Sequence, residues 1–275
     1  MGIDKTKKMT EKRNLIHVFS MLFVGIVLMT SSGCTDTVNP ANTSYSLKVK
    51  DVLGIVGTAK FTQTTSTVTT IDITLSGAPV GSHPAQLCMN TVVDGGPVVV
   101  ALNPVDASGK SSTSVTSMSY ATLIAYNGFI KVTKSDTEPN VILAQGDIGG
   151  NVLTTTSKSY SLGVIGNYGV SGSALLQKRL NGNALLTISL NGTIQGNTYP
   201  ATINMGTISS VGGGPVMKTL SDVDGTTGKS YTNIPTLDSG QAITYDNWLV
   251  YDGYINIYQV FVLRSVICNG NFGKN

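Results

Sequence analysis

Apolar and polar residues alternate with a period of two along several short stretches of the chain. In residues 68–75, Ile71, Ile73 and Leu75 are apolar and polar residues separate them, and the same alternation returns in residues 186–190. Side chains two positions apart lie on one face of a β-strand. Each stretch therefore predicts a strand with one buried face.

Other stretches complete an all-β pattern. Residues 98–102 are a continuous apolar run behind a Gly-Gly-Pro breaker, which predicts a strand covered on both faces. Residues 128–132 and 253–257 predict further short strands. We count about seven strands in each half of the chain, at a spacing of roughly 8–12 residues that is typical of sandwiches and Greek-key barrels. Helical turns are predicted only at residues 121–126 and 241–246.

The two halves of the chain repeat one another. The Tyr-Ser-Leu of residues 45–47 recurs at 160–162, and the Gly-Thr-Ala of 57–59 recurs as Gly-Ser-Ala at 172–174. Later segments, among them Gly-Gly-Pro-Val, Gly-Lys-Ser and Tyr-(Asn/Asp)-Gly-aromatic-Ile, follow in the same order in both halves. The period is too long for a solenoid or propeller repeat, so each copy is predicted to be a whole domain.

We predict four segments along the chain. Residues 1–33 form an export signal and residues 34–44 a polar tether. One β-domain spans residues 45–151 and its copy spans residues 158–275, and the stretch between them is rich in Thr and Ser.

The export signal ends at a cysteine. A basic segment, an apolar run over about residues 15–29 and small residues precede Cys34. Ser32-Gly33-Cys34 resembles the lipobox of bacterial lipoproteins, although Ser31 stands where that family commonly has Leu. The resemblance implies cleavage before Cys34, its acylation with chains such as palmitate, and a lipid-anchored place in the cell envelope. That place is expected to be the outer membrane, facing the periplasm or the surface. An ordinary signal peptide or an uncleaved anchor is the alternative.

The net charge of residues 34–275 argues against two classes of binding partner. Five of the 18 basic residues and two of the 15 acidic ones lie in residues 1–33, so residues 34–275 carry 13 of each sign. A neutral chain lacks the basic surplus that nucleic-acid binding or electrostatic membrane binding requires. We expect no nucleic-acid partner.

The repeat unit resembles the CHRD (chordin-type) domain. The match is carried in both copies by the Gly-Thr-Ala or Gly-Ser-Ala strand start, the His-Pro-Ala or Tyr-Pro-Ala segment, the Gly-Lys-Ser turn and the Tyr-(Asn/Asp)-Gly strand with its trailing Gly-(Asp/Asn)-(Ile/Phe)-Gly. The resemblance implies two tandem Greek-key β-sandwiches of the superoxide-dismutase-like or immunoglobulin-like kind. It implies no defined biochemical activity.

The sequence contains few residues that could bind a catalytic metal. A dismutase site needs several imidazoles, yet His83 is the only histidine after the signal, and His83 with Cys88 cannot build such a site. A Ser-His-Asp triad would also depend on His83, which we interpret as a loop residue before a strand. The acidic run at Asp222 lacks the spacing of a calcium loop and fits a turn capped by aspartate. We predict no metal and no cofactor.

Cysteines and aromatic residues supply the remaining candidates. Cys88 and Cys268 lie in different copies at unrelated positions, which favours two buried free thiols over a disulfide. Four aromatic residues gather around one repeated strand and are candidate ligand-binding residues: Tyr126, Trp248, Tyr251 and Tyr254. An exposed cluster would suit a glycan or peptide ligand, whereas a buried one would be core packing.

The sequence thus favours a protein that is not an enzyme, with a binding or structural role toward an unknown protein or glycan. A carbohydrate- or peptide-binding module that uses the aromatic strand is the alternative. A degenerate dismutase-like metalloenzyme is the third hypothesis.

Overall fold

The computed structural model describes residues 40–210, 213–259 and 265–275. The predicted export signal, Cys34 and the start of the tether lie outside these ranges. Residues Pro40–Asn275 form one compact unit. Within the described ranges, no helix is both long and apolar enough to cross a membrane.

The chain is nearly all β, as its sequence predicts. Among the described residues, each half contains eight strands rather than the expected seven. The strands of the first half are β1 (Asn42–Val49), β2 (Val56–Gln63), β3 (Thr69–Ser76), β4 (His83–Met89), β5 (Val98–Val105), β6 (Lys110–Val115), β7 (Gly128–Thr133) and β8 (Ile142–Ile148). Those of the second half are β9 (Leu153–Val164), β10 (Ser171–Arg179), β11 (Ala184–Asn191), β12 (Thr198–Met205), β13 (Val216–Asp224), β14 (Lys229–Asn233), β15 (Asp252–Tyr258) and β16 (Val266–Gly273).

The strands of the two halves are arranged in the same order. The first half forms one sheet in the order β5-β4-β7-β8-β1-β2-β3-β6, here called the N-terminal sheet. The second half has the corresponding order but closes on itself, because β13 pairs with β14 through Asp224 and Lys229. We call it the C-terminal barrel. In the N-terminal sheet, the corresponding β5 and β6 are linked by side chains instead, for example by Thr113 Oγ1, which accepts from the Asn103 N–H at 2.8 Å.

The repeated Gly-Thr-Ala and Gly-Ser-Ala segments begin with glycine because two strands approach closely there. A Cβ on Gly57 would meet the Leu75 side chain and the carbonyl oxygen of Thr74. A Cβ on Gly172 would meet the carbonyl oxygen of Ser189 at the same place in the barrel. The repeat therefore preserves a steric requirement of strand pairing.

Each half has its own apolar core. The alternation read from the sequence is confirmed, since Ile71, Ile73 and Leu75 are buried in one core and the matching residues 186–190 point their apolar side chains into the other. The expectation for residues 98–102 is wrong in its burial. They form β5, but most of them are exposed because β5 is the outermost strand of the N-terminal sheet.

Two short helices interrupt the strands. Helix α1 (Tyr120–Ala125) lies where residues 121–126 predict a helical turn, and the Ser119 side chain caps it. Helix α2 (Tyr245–Leu249) begins four residues later than residues 241–246 suggest. Its start is set by Thr244, whose hydroxyl accepts from the N–H of Asn247 in a capping box.

Candidate functional site

His83 is a buried strand residue, which corrects its interpretation as part of a loop. It is the first residue of β4 and 2% exposed. Its Nδ1 lies 2.7 Å from the carbonyl oxygen of Lys134 and its Nε2 lies 2.8 Å from that of Pro79. Both ring nitrogens face carbonyl oxygens of the protein, so the ring holds the preceding loop to β4.

Tyr199 holds the corresponding loop in the other copy. It is buried in β12, and its hydroxyl accepts a hydrogen bond of 2.8 Å from the N–H of Ile194. His83 and Tyr199 therefore differ in chemistry but share a role, which is to fix the loop that leads into their strand.

Both cysteines of the described residues are buried free thiols, as the sequence predicts. Burial raises the pKa of Cys88, although nearby Lys131 lowers it in part. Burial raises the pKa of Cys268 to about 11. Neither thiol is in the exposed thiolate form that reactive cysteines need.

The acidic run at Asp222 lies at the end of β13 and leads into a turn that Asp224 caps. Asp222 itself is exposed on β13, and the neighbouring Asp224 accepts from the N–H of Thr227 at 2.7 Å. Asp106 caps the corresponding turn of the first copy by accepting from the N–H of Ser108 at 2.8 Å. Across the described residues, no group of three or more His, Cys, Asp or Glu side chains converges as a metal site would require.

Two of the four candidate aromatic residues are buried, and Trp248 is part of the core of the barrel. Trp248 is fully buried, and its Nε1–H donates to the carbonyl oxygen of Ile234 at 2.9 Å. Tyr254 is 4% exposed, and its hydroxyl accepts from the N–H of Gly214 at 2.9 Å. A ligand would reach either ring only by displacing these protein contacts.

The other two aromatic residues are half-buried. Tyr126 packs at the margin of the core of the N-terminal sheet. Tyr251 packs edge-on against Trp248, with ring centroids 5.0 Å apart. Burial and the adjacent Asp252 raise the pKa of Tyr251.

Tyr251 also borders a surface groove of about 450 Å³. This Tyr251 groove is mainly apolar and also has polar lining groups. It is lined by Met205, Met217, Leu237, Gln241, Ala242, Ile243, Asn247, Val250, Tyr251 and Asp252.

The joint between the N-terminal sheet and the C-terminal barrel contains an ion pair in which the arginine is buried and the aspartate is partly buried. Arg179, at the end of β10, is 1% exposed, and its Nη1–H donates to Asp147 Oδ2 of β8 at 2.7 Å. The other oxygen of Asp147 accepts from the N–H of Val92 at 2.8 Å. Arg179 also donates to the carbonyl oxygen of Asn151 and, at 2.7 and 3.1 Å, to Asn233 Oδ1. Because four of the five N–H groups of the guanidinium are thus engaged and its charge is paired, most of the cost of burying it is offset.

Side-chain amides extend this network across the joint. Asn233 donates to Thr91 Oγ1 and, at 2.7 Å, to Asp94 Oδ2 in the loop between β4 and β5. Asn181, in the hairpin between β10 and β11, donates to Asn127 Oδ1 at 2.9 Å and to Asn151 Oδ1 at 3.2 Å. The barrel therefore contributes its β10–β11 hairpin, whereas the sheet contributes the β4–β5 loop and the segments around Asn127 and Asn151. The two copies use different parts of the same fold, so the joint is asymmetric.

A polar cavity of about 220 Å³ opens at this joint. We call it the junction cavity. It is lined by Asn90, Thr91, Asp94, Asn127, Asn151, Arg179, Asn181, Asn183, Asn233 and Pro235.

A second cavity, the apolar cleft, has a volume of about 460 Å³. Arg179 borders it too, together with aliphatic side chains such as Val49, Val92 and Leu185. The Asp147–Arg179 pair thus lies between a polar and an apolar cavity, both formed where the two copies meet.

Sequence reasoning missed every residue of this joint. One signal was present, because Asn151 closes the first copy as Asn275 closes the second. Asn151 Nδ2 donates to the carbonyl oxygens of Asn90 and Gly128 at 2.5 and 3.4 Å. Asn275 Nδ2 donates to the corresponding oxygens, those of residues 206 and 253, at 3.0 and 3.2 Å.

The ion pair itself has no counterpart within the repeat. Asn271 stands where Asp147 stands, and its Oδ1 accepts from the N–H of Ile208 at 3.0 Å, as Asp147 accepts from Val92. Thr64 stands where Arg179 stands, at the same hairpin of the first copy. In an alignment of the two copies, Asp147 and Arg179 are therefore charged residues with neutral equivalents, and both lie at the joint.

No protein-family model, no curated protein and no solved structure matches the chain.

Proposed function

We propose that this protein is an exported, lipid-anchored binding protein of a bacterial cell envelope, with a non-enzymatic role. Cys34 carries acyl chains that hold it in the membrane, and its two halves are CHRD-like domains. Several acyl chains give stable anchoring where a single chain is marginal. The polar segment before β1 acts as the tether.

The strand order supports a Greek-key assignment for the C-terminal barrel. In the barrel, β12, β13 and β14 are consecutive neighbours, and β15 returns to lie on the other side of β12. This order is the Greek-key arrangement. The sandwich that the CHRD resemblance implies is built with connections of this kind.

One observation carries the binding role, namely the Asp147–Arg179 joint with its two cavities. Ligand sites occur preferentially in clefts where two domains meet. The Asp147–Arg179 ion pair and the amide network hold the two halves in one arrangement, so the cavities between them are formed before a ligand arrives. A preformed site loses less conformational entropy on binding.

Labelling with palmitate tests the anchor. In a bacterial host, the full chain should incorporate labelled palmitate and sediment with membranes, and Cys34→Ser should do neither. An unlabelled, soluble wild-type chain would contradict the proposal. Robust turnover of a substrate by the purified protein, abolished by one substitution, would overturn its non-enzymatic part.

The Tyr251 groove supports the alternative, a carbohydrate- or peptide-binding module. Its aromatic and aliphatic walls suit the apolar face of a sugar ring or a peptide side chain, and Gln241 and Asp252 supply polar partners. Val250, at 67% exposure, offers a test that leaves the core intact. Under this alternative, Val250→Asp abolishes retention on a glycan or peptide column. The same substitution at Val164, which is 49% exposed and is not one of the groove's lining residues, leaves it unchanged.

A further inference from the structure

The junction cavity is lined almost entirely by hydrogen-bonding side chains. Six of its ten lining residues are asparagines, and each amide offers two donors and an acceptor. Four amide or carboxylate side chains of the lining have unused capacity among the described residues. Asn183 makes no side-chain hydrogen bond, Asp94 uses only Oδ2, Asn127 uses only Oδ1, and Asn90 uses only Nδ2. These groups are available to a ligand.

The rest of the lining is held in place by the protein. Asn233 is fixed by Arg179 on one side and by Asp94 and Thr91 on the other. Asn181 spans from the barrel to Asn127. The unused polar atoms of Asp94 and Asn127 therefore project from a rigid frame, and only the Asn183 side chain has to be ordered when a ligand binds.

Charge and size define the class of ligand. Arg179 is already paired with Asp147, and Asp94 has no cationic partner in the described part of the chain, so the wall keeps one net negative charge. An anion is disfavoured beside Asp94. A volume of about 220 Å³ is below the roughly 300–1,000 Å³ of sites for drug-sized ligands. The cavity suits a small, neutral molecule rich in groups that both donate and accept.

We infer that the junction cavity binds a single neutral sugar ring through its hydroxyl groups. A hydroxyl donates one hydrogen bond and accepts two, which matches an amide that does both and a carboxylate that accepts. The Asn183 amide and the free oxygen of Asp94 make the decisive contacts, and Pro235 provides an apolar surface. This inference rests on the proposed binding function and gives it a site and a ligand class.

Sugar titrations of the full-length protein in detergent test the inference. Glucose, galactose, mannose and N-acetylglucosamine are the neutral probes, and glucuronate is the anionic one, each followed by saturation-transfer NMR and calorimetry. Asn183→Ala should weaken the best neutral sugar about tenfold, since it removes one to two hydrogen bonds. Asn191→Ala is the matched control, because Asn191 is an exposed asparagine at the opposite end of β11.

We expect at least one neutral sugar to bind, Asn191→Ala to bind it as the wild type does, and glucuronate to bind more weakly than glucose. The inference is overturned if no neutral sugar binds or if Asn183→Ala retains full affinity. Loss of binding in Val250→Asp but not in Asn183→Ala would move the site to the Tyr251 groove. Palmitate labelling is independent of all these results, so failure of sugar binding alone leaves the proposed anchor standing.

Discussion

The side chains of Asn151 and Asn275 make the same pair of hydrogen bonds at the ends of the two copies. Each Nδ2 donates to two backbone carbonyl oxygens of its own copy. Their surroundings differ, because Asn151 is 3% exposed and also accepts from Asn181, whereas Asn275 is exposed. Both copies thus keep this pair of hydrogen bonds, but only the pair made by Asn151 is buried within the joint.

That difference predicts unequal costs for the same substitution. Asn151→Ala should lower the free energy of unfolding by about 2 kcal/mol, since buried partners lose their hydrogen bonds. Asn275→Ala should cost about 0.5 kcal/mol, because water replaces its amide. Urea unfolding of the two variants measures both values. Equal losses would show that burial in the joint adds nothing.

The ion pair of the joint predicts a dependence on charge. Asp147→Asn keeps an acceptor for Val92 but leaves Arg179 buried without its counter-charge, and it should cost about 3 kcal/mol. Asp246→Asn is the control, because it breaks the exposed pair with Lys178, at 2.7 Å, and should cost about 0.5 kcal/mol or less. Chemical denaturation compares the two. A loss at Asp147 no larger than that at Asp246 would contradict a structural role for the pair.

Close strand approach predicts intolerance to one methyl group. Gly172→Ala would place a Cβ against the carbonyl oxygen of Ser189 and 2.9 Å from Leu190 Cα, so we expect a loss of about 2 kcal/mol. Gly163→Ala, on the adjacent β9, has its nearest contact at 3.9 Å and should be neutral or slightly stabilising. Thermal melts of the two variants decide the matter, and equal melting temperatures would refute the steric explanation.

His83 and Tyr199 predict a shared loop-fixing role. His83→Ala should release the loop before β4, cost about 2 kcal/mol and expose residues 77–82 to protease. Tyr199→Phe removes only the hydroxyl that accepts from Ile194, so it should cost about 1 kcal/mol with little cavity formation. Limited proteolysis with mass spectrometry locates the cleavage. Cleavage elsewhere in His83→Ala would contradict the assigned contact.

The buried thiols predict a reactivity that depends on unfolding and on pH. In Cys34→Ser, a thiol reagent at pH 8 should label no cysteine in the native protein and both Cys88 and Cys268 after denaturation. The folded pKa of Cys268 is about 11 against an ordinary 9.0, so the unfolded chain loses this proton first as the pH rises. The contribution of Cys268 to stability is therefore complete below pH 9 and is lost between about 9 and 11. Cys268→Ala should flatten the fall in stability over this window, and an unchanged slope would argue against it.

The sequence predicted local structure better than it predicted the joint. Alternation at Ile71, Ile73 and Leu75 identified a half-buried strand because the period of two depends only on neighbours along the chain. The burial of residues 98–102 was misjudged, since being outermost in a sheet depends on the order of all its strands. Arg179 gave no local signal, because its importance comes from Asp147, 32 residues away and on the other copy.

Neutral residues, Thr64 and Asn271, stand at the positions equivalent to Arg179 and Asp147. This difference bears on whether the joint could be repeated between molecules. An asymmetric, head-to-tail joint is the kind of contact that, repeated between molecules, grows into open filaments. A second molecule docking in that way would bring Thr64 beside Asn271, which offers no opposite charges to offset the loss of water. A joint of this kind between two molecules would therefore lack the ion pair that links the two copies within one chain.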